Sequence, residues 1–171
     1  MEILIFSDSH GRTEGMRAVL SRQVSPPSAV MHLGDGVRDT GALALGEIPL
    51  YMVRGNCDGF LYGVEGPVPE ECLTSIGGHL FFLTHGARYG VKGGLGGLLR
   101  AALQKGADIV LFGHTHRPYL EILPAGTEAE GQTLTRPVYL FNPGSIGQGG
   151  ERTFGMLTLK DGAVLFSHGV L

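Results

Sequence analysis

Five short apolar runs, each stopped abruptly by polar residues or glycine, organise this chain. Ile3-Leu4-Ile5-Phe6 stops at Ser7-Asp8-Ser9-His10-Gly11, Ala29 to Leu33 at Gly34-Asp35-Gly36, and Leu50 to Val53 at Arg54-Gly55-Asn56-Cys57-Asp58. His79 to Leu83 runs into Thr84-His85-Gly86, and Asp108 to Phe112 into Gly113-His114-Thr115-His116. Short continuous apolar runs bounded by turn residues predict strands buried on both faces.

Between the first three runs the period changes. Met16, Val19, Leu20 and Gln23 recur at helical spacing after Thr13, a candidate cap, and Pro26-Pro27 ends the pattern. Val37 to Leu45 predicts a short helix, a poor one because it holds Gly41 and meets Gly46. Strand, helix, strand, helix, strand predicts α/β layering around a parallel sheet. Gly77-Gly78 predicts a hairpin joining Cys72–Ile76 to His79–Leu83. Leu95 to Lys105 is the clearest helix, closed by Gly106. The remainder reads as antiparallel strands over Tyr119–Leu123, Val138–Phe141, Phe154–Leu159 and Val164–Ser167, with Asp161-Gly162 turning between the last two. Glu128 to Gln132 is polar and reads as a surface loop. Gly90 to Gly97 holds five glycines but lacks a Gly-Lys-Ser/Thr ending, so it reads as a mobile loop near the site and not a nucleotide cradle.

Composition narrows the function classes. A chain of 171 residues with 43% hydrophobic and 17% charged residues predicts one globular domain over 1–171. A net charge of −3 and the absence of aromatic–basic clusters argue against a dedicated nucleic-acid surface. No apolar run approaches the ~18 residues of a membrane span. The N-terminus has no basic region before its first strand, so no export signal is expected. Two cysteines, Cys57 and Cys72, are too few for a disulfide framework, and reduced thiols in a cytoplasm are expected.

The chemistry lies at the strand ends. Asp8, His10, Asp35, Asn56, His85, His114 and His116 are metal-ligand residue types, each just after an apolar run. In a layered α/β sheet the carboxyl ends of parallel strands share one edge, where sites form. Seven oxygen and imidazole donors are too many for one ion and suit two, about 3.5–4 Å apart with a bridging carboxylate. The i, i+2 pairs Asp8/His10 and His114/His116 can bring both side chains to one centre. Mixed Asp, Asn and His donors suit divalent transition metals; manganese leads, with iron, nickel or zinc next. The other three of the seven histidines, His32, His79 and His168, read as structural.

The ordered set Asp8-x-His10, Gly34-Asp35, Gly55-Asn56, His85 and Gly113-His114-Thr115-His116 resembles the calcineurin-like metallophosphoesterase superfamily, and within it the small single-domain phosphodiesterases of bacteria and archaea. The likeness runs from residue 4 to Asn142-Pro143-Gly144-Ser145. It implies a four-layer αββα sandwich, two mixed β-sheets flanked by helices. It also implies that Asp8, His10, Asp35 and His116 hold one metal, that Asp35, Asn56, His85 and His114 hold the other, and that Asp35 bridges. One position departs from the larger family, where Gly-Asn-His is usual and that histidine serves the leaving group or the phosphate. Here Cys57 stands there, followed by Asp58, so the group that protonates the leaving oxygen is open. A thiol with an ordinary pKa near ~8.5 is a weaker acid catalyst at neutral pH than a histidinium. Cys57 reads as a small residue packed behind Asn56.

The activity implied is hydrolysis of a small phosphodiester by a metal-bridging hydroxide, with His85, Asp35 and Asn56 as the catalytic set and charge on the phosphoryl oxygens met by the metals and by His85 or Arg12. Arg12, Arg54 and Arg117 adjoin the motifs, and Arg12 and Cys57 are candidate substrate contacts. The alternatives are a phosphomonoesterase or nuclease on the same site, or a non-catalytic protein-binding scaffold of the kind found in the retromer subunit of this fold. Loops Phe60–Glu71 and Arg88–Gly97 are expected to set substrate choice, and oligomeric state is open.

Overall fold

In the computed structural model, which describes residues 1–59 and 66–171, the continuous apolar runs become strands and the side-chain alternation of those strands builds the layers. Strand β1 (Glu2–Phe6) sends Ile3 and Ile5 to one face and Leu4 and Phe6 to the other, and all four are fully buried. Leu4 and Phe6 pack with Met16 and Val19 of helix α1 (Glu14–Ser21). Ile3 and Ile5 pack in the central core, with Met31 from β2 (Ala29–His32) and Phe81 and Leu83 from β5 (His79–Thr84). The hairpin arm before β5 is β4 (Glu71–Ile76), and β3 is Leu50–Met52. Helix α2 (Gly96–Gln104) buries Leu98 and Ala102 against Phe82, Val110 and Leu140 on the far side of the second sheet.

The remaining strands are β6 (Ile109–Leu111), β7 (Pro118–Leu123), β8 (Glu128–Ala129), β9 (Gln132–Thr133), β10 (Val138–Pro143), β11 (Thr153–Lys160) and β12 (Ala163–Val170). Among the described residues ten of the strands order as two five-stranded sheets, β12-β11-β1-β2-β3 and β4-β5-β6-β10-β7, and β8 pairs with β9 apart from them. Each sheet is mixed: β1, β2 and β3 run parallel in one, β5, β6 and β10 in the other, with antiparallel strands outside them. One helix covers each outer face, and the architecture is the αββα sandwich that the resemblance implies.

Several local expectations are met. Gly77 and Gly78 both take positive φ, 59° and 84°, as a two-residue hairpin turn with the twist of its strands requires. The Val37–Ala42 segment closes only as a 3-10 helix. Three expectations are corrected. Glu128 to Gln132 is not an irregular loop: Glu128 pairs with Thr133 and Ala129 with Gln132, so a small hairpin forms. The C-terminal part is not all antiparallel, because β10 lies beside β6 with Tyr139 against Ile109, in parallel. Thr13 stands at the start of α1 but its hydroxyl caps nothing; only its carbonyl serves the helix, accepting the N–H of Arg17 at 3.1 Å. The glycine-rich stretch after Tyr89 is a chain of turns pinned by Val91, which is buried in the α2 core. Of the two loops expected to set substrate choice, residues 60–65 of the first lie outside the described residues.

Candidate metal centre

The parallel strands of both sheets deliver their carboxyl ends to one edge, and the donors meet there. Asp8 follows β1, Asp35 follows β2, His85 follows β5, and His114 and His116 follow β6. Asp8 Oδ1 lies 3.0 Å from His116 Nε2 and 3.8 Å from His10 Nε2. Asp35 Oδ2 lies 3.3 Å from His85 Nε2 and 4.0 Å from His10 Nε2. His114 Nδ1 is 3.2 Å from His85 Nε2, and His10 Nε2 is 3.4 Å from His116 Nε2. Among the described residues, three sets of donors fall within 4.8 Å of one another: Asp8, His10 and His116; Asp35, His85 and His114; and His10, Asp35 and Cys57. The first set holds three of the four residues implied for one metal and the second three of the four implied for the other; Asp35 belongs to the second set and, with His10, to the third, and not to the first. Asn56 is exposed and borders, with His85 and Thr84, a cavity of about 160 Å³.

The sequence folds this way because the turns demand it. Asp8, His10, Asp35, His114 and His116, five of the seven candidate donors, have left-handed backbone, with φ between 47° and 68°. Asp and His tolerate that region better than most residues, at a cost of about 1–2 kcal/mol each. Such strain concentrated on chemistry-bearing residues is what a preorganised site stores. Two close approaches complete the frame. A side chain at Gly34 (φ 94°) would reach within 2.9 Å of His85 Nδ1. One at Gly113 would press on Ser7 and stand 2.9 Å from Asp8 Oδ2.

The bonding leaves room for a cation. Asp8 Oδ2 accepts from Ser7 Oγ at 2.5 Å and from the His114 N–H at 3.1 Å, while Oδ1, buried, has no hydrogen-bond partner. Pairs of imidazole nitrogens at 3.2–3.4 Å, beside that orphaned oxygen, repel through their lone pairs unless a proton or a metal ion lies among them. His85 Nδ1–H donates to the Leu33 carbonyl at 2.7 Å, which fixes the tautomer and leaves Nε2 as the donor facing the cluster. The donor set fits divalent metal.

Charge follows the same geometry. Burial alone would raise the Asp35 carboxyl, but the hydrogen bond to His85, the N–H of Cys57 at 2.7 Å and the field of His85 hold it well below the usual carboxylate range. For His85, burial lowers the pKa and the contacts with Asp35 and Asp8 overcome it, so the net shift is upward. His114 is pushed down by burial and then by His85. Cys57 is pushed up to about 11, first by its hydrogen bond with Asp35, then by burial and the neighbouring carboxylates.

Cys57 does not pack behind Asn56. It is exposed, accepts from Asn56 Nδ2 at 3.4 Å, and stands in the third donor set. Arg12 directs Nη1 to the Gly147 carbonyl at 2.8 Å, and Arg54 pairs with Glu70 at 2.7 Å. The three histidines read as structural are engaged elsewhere. His32 is buried between Ser9 Oγ and the Gly34 N–H, and burial pushes it down to about 4. His79 meets Asp108 at 2.6 Å, and His168 lies over Phe141 while contacting the Asn142 carbonyl at 2.8 Å.

A supporting set escaped the sequence reading. Asp58 accepts four backbone N–H groups, from Asp35, Gly36, Val37 and Gly55. Asp39 accepts from Ser9 Oγ at 2.6 Å and the Gly11 N–H at 2.8 Å. Asn142 Nδ2 donates to the Gly113 carbonyl at 2.7 Å, and Ser145 Oγ to the Asp8 carbonyl at 2.8 Å. The signal available for these was position alone: Asp58 directly follows Asn56-Cys57, and Asn142 and Ser145 end the last stretch of the likeness.

Comparison with known proteins agrees with this arrangement. A family model described as the calcineurin-like phosphoesterase superfamily domain matches residues 1–162. The probable metallophosphoesterase YsnB of Bacillus subtilis is 32% identical over 166 residues, covering 95% of this chain and 87% of that one. A solved protein of Streptococcus pneumoniae, described as a predicted phosphoesterase, superposes with a TM-score of 0.75 at 26% identity, over 99% of this chain and 88% of that one. A solved archaeal phosphodiesterase shares the fold, with a TM-score of 0.73 at 23% identity and all of both chains covered. A donor cluster at the shared edge of two mixed sheets, and a family match over nearly the whole chain, point the same way: the chain belongs to the calcineurin-like phosphoesterase superfamily, a membership that implies a metal-dependent hydrolase of phosphoric esters.

Proposed function

We propose that this protein is a binuclear phosphodiesterase acting on a small soluble substrate in the cytoplasm, with manganese as the preferred metal. The observation that carries the reading is the buried, unpartnered Asp8 Oδ1 facing His10, His85 and His116, with Asp35 completing the ring. Asp8, His10, Asp35 and His116 would hold one ion, and Asp35, Asn56, His85 and His114 the other. Two bound divalent ions would lower the pKa of a water they hold and polarise the phosphoryl oxygens.

The chain's own residues do the rest. Asp35, kept ionised, anchors both positions. His85, ordered by the Leu33 carbonyl, and His114, 3.2 Å from it, fix one wall. Asn56 and the exposed Cys57 stand at the solvent side, where substrate enters. A thiol at about 11 donates a proton poorly at neutral pH, so good leaving groups should depart fastest. This favours diesters with acidic leaving groups over alkyl phosphomonoesters.

The test is turnover of bis(p-nitrophenyl) phosphate with added Mn²⁺, set against p-nitrophenyl and alkyl monoesters, together with elemental analysis of the purified protein. Activity lost in Asp35→Asn supports the reading. Equal inertness of wild type and variant would favour a scaffold, and faster monoester cleavage a phosphomonoesterase.

A further inference from the structure

Beside the donor cluster, on the same loop, lies a cavity of about 520 Å³ that the proposed chemistry leaves unused. Its size is in the range of small-molecule sites, roughly 300–1,000 Å³. Leu95, Phe112 and Tyr119 give it apolar and aromatic walls; Lys92, Thr115 and Arg117 supply the polar groups, and no carboxylate is among its described walls. Thr115 and Arg117 alternate in sequence with His114 and His116, so one short loop lines both the donor cluster and the cavity. Tyr119 is held edge-to-face against buried Phe112, ring centres 6.1 Å apart, while 38% of it stays exposed to the cavity and solvent.

A phosphodiester carries one negative charge and two substituents. The donor cluster accounts for the phosphoryl group, and the leaving oxygen must face solvent. We propose that the cavity receives the substituent that does not leave and selects a planar aromatic group laid against Tyr119, with Lys92 and Arg117 attracting the phosphate's charge. The proposal rests on the phosphodiesterase reading and adds a substrate class to it. An aromatic floor favours flat rings by stacking, and two cations with no carboxylate beside them favour an anion.

The experiment uses p-nitrophenyl diesters of phosphate whose second ester is methyl, phenyl or thymidine-5′, each read by p-nitrophenol release from the metal-loaded protein. The expected KM for the phenyl and thymidine esters is at least about tenfold below that for the methyl ester, from the apolar area buried. Tyr119→Ala, and separately Leu95→Trp, which fills the cavity, collapse that ratio; Lys92→Ala raises KM for all three alike. Phenyl and thymidine favoured equally identifies a general aryl pocket, and thymidine favoured beyond phenyl adds contacts to the nucleobase; phenyl no better than methyl overturns the proposal. Equal KM values in the wild type, or a preference that survives both cavity variants, overturns the proposal. Calorimetric titration with phenyl phosphate and methyl phosphate decides the matter without turnover. Tighter phenyl phosphate binding, lost in Tyr119→Ala, supports the pocket even if every diester is inert and the catalytic reading has failed; equal binding overturns it.

Discussion

Asp58 is the residue whose removal most directly tests how the centre is held. Oδ2 accepts the N–H groups of Asp35 and Gly55 at 2.7 and 2.9 Å, and Oδ1 those of Gly36 and Val37 at 2.8 and 3.0 Å. Asp58→Ala removes the acceptor from all four donors at once. A net hydrogen bond contributes about 1 kcal/mol, and water replaces part of the loss around a half-buried side chain, so about 2–3 kcal/mol of stability should disappear. For a chain of this size that corresponds to a fall in Tm of roughly 5–10 °C. Asp58→Asn should be nearly as costly, because its amide keeps one oxygen for two donors and turns an NH₂ toward the other two. The loop freed in either variant carries Asp35, whose left-handed backbone (φ 54°) then loses its clamp. Metal affinity should fall by about 10–100-fold, as when other groups that orient ligands are removed. Denaturant unfolding of the metal-free protein and calorimetric titration with Mn²⁺ measure the two effects. Asp58→Ala within about 0.5 kcal/mol of wild type, with unaltered Mn²⁺ affinity, would refute the reasoning, since each net bond was taken as about 1 kcal/mol.

Three further outcomes follow from the same geometry. Gly113→Ala should fold yet bind metal poorly, because its methyl crowds Ser7 and Asp8; an unchanged Mn²⁺ isotherm would contradict this. At His10 (φ 47°), glycine should be more stable than alanine in the metal-free protein by about 1 kcal/mol, the reverse of the order in an extended strand, and equilibrium unfolding of the two variants reads the difference. His32 titrates at about 4 when folded and near 6.5 when unfolded, so between those values the unfolded chain binds the extra proton. Stability from neutral His32 is therefore complete above pH 6.5 and is lost on acidification toward pH 4, by up to about 1.4 kcal/mol per pH unit. A metal-free His32→Gln variant should lack that part of the slope, and an identical pH profile would count against it.

What the chain alone determined is the inventory and its approximate place. Buried strands announce themselves as apolar runs, and their ends as glycine beside a polar residue, because period and turn chemistry depend only on neighbours in sequence. Hence Asp8, Asp35, His85, His114 and His116 are legible from the chain alone as candidate donors at strand ends. Tertiary structure alone decided which groups hold them. Ser145 reaches Asp8 across 137 residues and Asn142 reaches Gly113 across 29, and no local pattern encodes such pairings. The same holds for Asp58, whose role depends on the Asp35 loop folding back over it, and for β10, whose parallel place beside β6 follows from sheet order. The exposure of Cys57, which its neighbours in sequence do not reveal, is likewise set by how the loop after β3 crosses Asp35, a long-range fact. Residue type and local rhythm thus specify which chemistry is available, while distant backbone contacts specify the angle and spacing at which it is presented.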